Sequence, residues 1–374
     1  KILKRMLIGI GIILGVLVIG TILFVNLSPQ FGGKATEEQK KEYTKSKNYK
    51  DEIFVNTNEV KLDMSFGDMM KSLVGFLRKQ PNSVPAKGLD VVKMDSLQIV
   101  NSSAPSTLYW FGHSSFLLQL QDKVILIDPM FGEVPAPHPL LGNKRFSTEL
   151  PLEVEKIPEI DMVILSHDHY DHLDYGSIQK LKDKVKMFYA PLGVGVHLEE
   201  WGVEKERIVE LDWWQETAYK DVKLVCTPAQ HFSGRGFSDR AKTLWSSWVI
   251  QSNGENIFFS GDSGYAEHFK QIGEKYGPFD FAMIECGQYN RLWPDIHMFP
   301  EETAQAGVDV KAERIMPIHW GAFKLALHTW TDPIKRVAKK SEELGVKLVA
   351  PKIGEPIFFK QDMALNPWWE AYEE

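Results

Sequence analysis

The apolar positions of this chain fall into three regimes. From Met6 to Val25 they run without a single charge, about 20 residues that span roughly 30 Å as a helix, enough to cross a bilayer. Lys1, Lys4 and Arg5 precede the run, and no small-residue cleavage site follows it before Lys34. Residues 1–31 therefore read as an uncleaved membrane anchor rather than a signal peptide. Positive charge ahead of the span predicts a cytoplasmic N-terminus and a translocated, extracytoplasmic globular part. Residues 32–60 mix Lys and Glu with few large apolar side chains, the pattern of a tether. A flexible tether of about 30 residues reaches on the order of 30 Å from its anchor.

Residues 61–104 form an N-terminal extension. Within it Phe66, Met69, Met70, Leu73, Val74, Phe76 and Leu77 recur at helical spacing, predicting an amphipathic helix over 64–79 that ends before Pro81. Its apolar face suits packing on the following domain or contact with a membrane surface. Over 105–374 the pattern changes to short, nearly continuous apolar runs. Thr107–Phe111, Ser115–Leu120, Lys123–Ile127, Met162–Leu165, Arg207–Leu211, Thr243–Ile250, Asn256–Phe259, Phe281–Glu285 and Arg314–Ile318 read as strands. Gln121-Asp122 and Ser252-Asn253-Gly254 read as tight turns. Helical segments near His197–Trp201, after Pro300 and over Pro333–Leu344 are interspersed. Strands in two groups with helices between them suit an α/β four-layer αββα sandwich.

Composition adds two points. A chain with 44% hydrophobic and 25% charged residues can build a large core. A net charge of −7 without any basic block argues against nucleic acid as a partner. The two cysteines, Cys226 and Cys286, lie inside apolar runs and read as buried packing residues.

The chemistry concentrates in His167-x-His169-x-Asp171-His172, directly after the strand-like Met162–Leu165. Loops at the carboxyl ends of strands are where layered α/β folds build sites. Imidazoles and carboxylates brought together bind metal ions, and two such sets support two metals. Three later strand-like runs end in further donors: His231, Asp262 and His319.

This ordered set resembles the metallo-β-lactamase-fold hydrolases, over roughly residues 105–360. The resemblance implies that His167, His169 and His231 hold one divalent metal ion and Asp171, His172 and His319 a second, with Asp262 bridging them. His113 is then a hydrogen-bonded structural histidine and Asp128 an orienting carboxylate behind a ligand. Thr227-Pro-Ala-Gln-His231-Phe-Ser-Gly-Arg-Gly236, Tyr289-Asn-Arg-Leu-Trp293 and His297-Met-Phe-Pro-Glu-Glu302 resemble segments of the N-acylphosphatidylethanolamine phospholipase D group. That group cleaves a lipid-headgroup phosphodiester with two zinc ions; iron or manganese would also suit these donors. The likeness makes Asp171, Asp262 and His297 the candidate catalytic groups. His297 would bind a phosphoryl oxygen or protonate the leaving alkoxide, with Tyr289 assisting in the same substrate pocket. The anchor is not part of the group's pattern. A lactone or ester hydrolase acting on a small soluble substrate would keep the same seven ligands and is the alternative. On the lipid reading, Trp213, Trp214, Trp245 and Trp248 are expected to provide an apolar entry for acyl chains.

Overall fold

Leu108 and Trp110 point one way from their strand and Tyr109 and Phe111 the other, yet all four are buried. A strand covered on both faces reads as a continuous apolar run, and that is the condition of most strands here. A computed structural model describes residues 2–60, 65–78, 80–99 and 106–373. The chain starts with helices α1 (Ile2–Leu27) and α2 (Glu37–Tyr43), a small hairpin of β1 (Tyr49–Lys50) and β2 (Ile53–Phe54), α3 (Phe66–Leu77) and α4 (Ser96–Ile99). The first half of the main body holds β3 (Thr107–Trp110), β4 (Phe116–Leu120), β5 (Lys123–Ile127), β6 (Ile160–Ile164), α5 (Tyr175–Leu181), β7 (Val185–Pro191), α6 (Gly195–Glu200) and β8 (Ile208–Leu211). The second half holds β9 (Glu216–Tyr219), β10 (Val222–Thr227), β11 (Ser247–Ser252), β12 (Glu255–Phe259), α7 (His268–Tyr276) and β13 (Phe281–Glu285). It closes with α8 (Pro300–Asp309), β14 (Arg314–Ile318), α9 (Asp332–Leu344), β15 (Lys347–Leu348) and β16 (Pro356–Phe358).

These strands form two seven-stranded sheets, ordered β16-β3-β4-β5-β6-β7-β8 and β15-β14-β13-β12-β11-β10-β9. Each sheet is antiparallel at one side and parallel at the other, over β5 to β8 and β12 to β15. Leu118, Ile125, Met162 and Ile164 of the first sheet share a core with Leu224, Trp248, Ile250 and Phe259 of the second. Phe116 meets Phe259 edge-on at 6.3 Å across the interface. The alternate residues Leu117, Leu126, Val163 and Leu165 pack outward with Ile178, Leu181 and Leu198 of α5 and α6. On the far side Phe258 packs on Phe269 of α7. The order is helix, sheet, sheet, helix: an αββα metallo-β-lactamase fold. Asn253 (φ 44°) and Gly254 (φ 82°) make the left-handed turn of the β11–β12 hairpin. Both cysteines are free and buried.

Three expectations need correction. The strand expected from Thr243 starts at Ser247, because the preceding backbone is committed elsewhere: Leu244 N donates to Leu192 O (2.7 Å) and Ser246 N to Ser166 O (2.9 Å). The tryptophans form no lipid entry. Trp213, Trp245 and Trp248 are buried and donate to the carbonyls of Trp245, Ala229 and Leu165, while Trp214 stacks on Tyr276.

The third correction is the tether. Thr36 and Gln39 form a capping box that starts α2. Tyr43 and Phe54 are 2% and 1% exposed and join the main core, with Tyr49 against Phe54 at 4.9 Å. Phe54 N donates to Ala241 O. Three spaced aromatics are enough to seat a segment whose average composition is polar. Of the expected amphipathic helix, Met70 and Val74 are exposed. Met64, Lys79 and the side chains of Phe66, Met69, Leu73, Phe76 and Leu77 lie outside the described residues.

Truncating Phe54 to Ala should cost about 3–5 kcal/mol of stability in chemical denaturation, the range for emptying an aromatic site. An unfolding midpoint equal to that of the parent would mean the segment is undocked in solution.

Candidate metal centre

In a parallel sheet flanked by helices, carboxyl ends of neighbouring strands open at one edge, and here both sheets open at the same edge. The loop after β6 brings His167, His169, Asp171 and His172; the loop after β10 brings His231; the loop after β12 brings Asp262; His319 directly follows β14. The fold gathers all seven. His167, His169, His231 and Asp262 form one set of donors whose atoms lie within 4.8 Å of one another. Asp171, His172 and His319 form a second, joined by His113. Asp262 stands between them, 3.1 Å from His172 Nε2 and from His319 Nε2, and 3.8 Å from the Nε2 atoms of His167 and His231.

The imidazoles are aimed from behind. His172 Nδ1–H donates to Asp128 at 2.7 Å. The Ser166 hydroxyl gives its proton to Asp128 (2.5 Å), so it accepts from His167 Nδ1–H at 2.9 Å. His231 Nδ1–H donates to the Ile296 carbonyl at 3.0 Å. Each bond fixes a tautomer whose Nε2 lone pair turns inward, the usual support behind a metal ligand. His167 Nε2 and His231 Nε2 then meet His169 Nδ1 at 2.9 and 3.2 Å. Buried His172 Nε2 and Asp262 Oδ1 face each other at 3.1 Å without a well-directed hydrogen bond, and neither makes one elsewhere among the described residues. Converging lone pairs and orphaned buried donor atoms are a poor arrangement for protein alone. They fit divalent cations taking nitrogen and oxygen ligands.

Electrostatics agree. Burial drives His167 and His231 well below the ordinary imidazole range and lowers His169, which keeps them neutral as ligands must be. Burial also opposes charge at His319, but Asp262, with Asp171 and Glu285, outweighs it and pushes His319 up to about 10. His172 is likewise raised against burial by Asp262 and Asp171. The carboxylates therefore call for positive charge on this side, and a cation would displace those protons.

His113 Nε2 lies 2.8 Å from Asp171 Oδ2, a hydrogen-bonded position inside the second set. His297 belongs to the centre too: it stacks on His319 at 5.1 Å, and its donor atom groups with those of Asp262 and His319. Its Nδ1 is held by Glu285. Tyr289 does not reach the pocket. It is buried, and its hydroxyl donates to Asp332 and accepts from Arg336 at 3.1 Å, because α9 presents that ion pair beside it. A cavity of about 400 Å³ opens on His169, Asp171, Asp262, His297 and His319. Phe232, Trp293, Ile296 and Leu325 supply its apolar wall, and Arg240 a cation.

Three supporting residues escaped the sequence reading. Glu285, fully buried at the end of β13, accepts from Ser263 N at 2.6 Å, holds His297 and lies 3.4 Å from His319 Nδ1. A carboxylate closing an apolar strand was the same signal that marked Asp262. Asn56 grips the backbone of His231 at both N and O (3.1 and 2.7 Å) from the docked N-terminal segment. Asp168 accepts from Gly234 N and Thr243 Oγ1, fixing the metal loop. Nothing local announces the last two.

Residues 123–320 match the β-lactamase superfamily domain. The chain is 36% identical over 334 residues to an uncharacterised protein of Mycobacterium tuberculosis, across 87% of each. It is 31% identical over 252 residues to N-acyl-phosphatidylethanolamine-hydrolyzing phospholipase D 1 of Caenorhabditis elegans, covering 63% of this chain and 70% of the relative. An isothiocyanate hydrolase structure from Delia radicum gut bacteria shares the fold, with a TM-score of 0.53 and 22% identity over 67% of this chain and 98% of the other. With the expected ligands gathered between two sheets of this topology, the chain belongs to the β-lactamase superfamily, as a metal-dependent hydrolase of the metallo-β-lactamase fold.

Proposed function

We propose that the protein is a membrane-anchored, binuclear metal-dependent phosphodiesterase of the phospholipase D type, acting on a phospholipid headgroup. The observation that carries this reading is the lining of one cavity: metal-donor side chains from both sets, the apolar Phe232, Trp293, Ile296 and Leu325, and the cationic Arg240. A headgroup phosphate suits the first and third, and acyl chains suit the second. The activity for which the nematode relative is named supports the same substrate class. Helix α1 is long and apolar enough to cross a membrane and has no buried residue. Lys4 and Arg5 in its first turn favour the catalytic domain on the extracytoplasmic side.

His167, His169 and His231 would hold one ion and Asp171, His172 and His319 the other, with Asp262 common to both. Bound there, divalent ions, zinc in the first instance, supply Lewis acidity at a phosphoryl oxygen and acidify water. The remaining steps belong to the protein. Asp262 fixes the spacing of the two donor sets. Asp171 Oδ2, shared by His113 and His319 at 2.8 and 3.2 Å, keeps the second set in register. Arg240, whose guanidinium rests 4.3 Å over the Phe232 ring, neutralises phosphate charge at the cavity rim. Glu285 holds His297 by Nδ1, which leaves the other ring nitrogen to donate to a phosphoryl oxygen or to the departing alkoxide. Phe232, Trp293 and Ile296 exclude water from one side of the phosphate and strengthen these charges.

Purified protein should hydrolyse detergent-dispersed phospholipid in preference to soluble phosphodiesters and lactones. Asp262→Asn should lower that activity by orders of magnitude and reduce metal content at both positions. Lactone opening without phosphodiester cleavage would favour the soluble-substrate alternative. Undiminished turnover in the variant would remove Asp262 from the centre.

His297→Ala should depress turnover while metal analysis stays at the parent level, and Glu285→Gln should depress it less, because Glu285 acts through the imidazole it holds. Loss of metal in His297→Ala would make it a ligand instead. For the anchor, protease added to intact cells should remove the catalytic domain. Digestion only after lysis would reverse the orientation.

A further inference from the structure

Helix α1 does not end in free chain. Ser28 N continues the helical bonding to Phe24 O (3.0 Å), and a short 3₁₀ turn over Pro29–Phe31 follows at once. The turn is bolted to the catalytic domain. Trp201 Nε1 donates to Pro29 O at 2.7 Å. Buried Arg235 donates to Gln30 O through Nε and Nη2 at 2.9 and 2.7 Å. The next two residues press their backbone onto α6. A Cβ on Gly32 (φ 75°) would fall 2.1 Å from His197 Nδ1, and one on Gly33 would fall 2.3 Å from Val196 O. Only glycine permits that approach.

Arg235 carries the connection to the metal loop. Its Nη1 donates to Asp168 O and Leu173 O at 2.5 and 2.8 Å, and its guanidinium lies 4.1 Å over the Tyr170 ring. Tyr170 sits between His169 and Asp171, and its ring meets Phe31 edge-on at 6.3 Å. The end of the apolar helix is thus fixed to the loop whose His169 and Asp171 line the cavity.

Two exposed apolar loops flank the same point. Phe24 touches His138 at 6.3 Å, which places the neighbouring Leu140 and Leu141, 87% and 63% exposed, beside the last turn of α1. Phe237, 85% exposed, lies two residues from Arg235. From α1, Arg235 and these loops we infer that the face bearing Leu140, Leu141 and Phe237 rests on the lipid bilayer that α1 crosses, with the cavity mouth turned to the membrane surface. The partner is a lipid surface. These tips are continuous with α1, the one helix among the described residues long and apolar enough to cross a membrane, and apolar tips beside a span insert at the headgroup boundary. A rigid mount then presents the site to lipid, where a flexible tether would leave its direction unset.

This inference shares with the proposed function the premise that α1 spans a bilayer, but its test needs no substrate. Leu141→Cys, Phe237→Cys and Asp122→Cys are each made in the full chain and labelled with an environment-sensitive fluorophore, since Cys226 and Cys286 are buried. Asp122 lies in the β4–β5 turn, at the opposite end of the strands. Reconstituted in phosphatidylcholine–phosphatidylglycerol vesicles, labels at 141 and 237 should shift to the blue and lose fluorescence to lipids spin-labelled on the acyl chain. The label at 122 should do neither. Labels at 141 and 237 that behave like the one at 122 overturn the inference. So does self-quenching between chains at 141 without lipid quenching, which identifies a second copy as the occupant. Either failure leaves the phosphodiesterase reading standing, and a failed hydrolysis screen leaves this one standing.

Discussion

The structure depends on holding Asp262 ionised in a place with almost no water. The residue is 3% exposed, and a lone carboxylate there would be costly. Four imidazoles surround it, and those of His172 and His319 outweigh burial to keep it well below the ordinary carboxylate range. Those imidazoles come from different strands, so the sheets must hold their ends in register. The sandwich supplies this by burying both faces of each sheet. A slip of one residue would turn Leu117 and Leu126 into the inner core and Leu118 and Ile125 out of it.

Precision at the centre is secured at some cost to the backbone. His113, Asp128 and His319 adopt left-handed φ of 58°, 41° and 66°, a conformation that side-chain-bearing residues disfavour. Each is tied down by neighbours. His319 N donates to His113 O, and His113 N to Trp320 O. Gly287 lets the loop after β13 lie flat on His319, where a Cβ would stand 1.8 Å from the His319 carbonyl. Three left-handed positions thus coincide with a donor and the groups that support the donors.

The N-terminal segment serves the same end from outside the sandwich. Asn56 holds His231 and Gln30 receives Arg235, so residues far from the ligands in sequence stiffen both the loop after β10 and the loop after β6. A segment joined this way contributes to the geometry of the candidate metal centre.

The sequence by itself determined the candidate metal donors and the layering. Metal donors need particular side chains at strand ends, so His167, His169, Asp171, His172, His231, Asp262 and His319 stand out as candidate donors by their identity and order. Strands buried on two faces announce themselves as apolar runs. Tertiary structure alone decided what depends on backbone partners. The strand expected from Thr243 was shortened because Leu244 and Ser246 spend their amides on other loops. Residues 32–60 look solvated on average, yet Tyr43, Tyr49 and Phe54 meet a surface assembled from distant segments. Tyr289 was drawn away by Asp332 and Arg336 on a later helix. Glu285, Asn56 and Arg235 act by hydrogen bonds to atoms far along the chain, and no local pattern encodes a partner that only folding brings near.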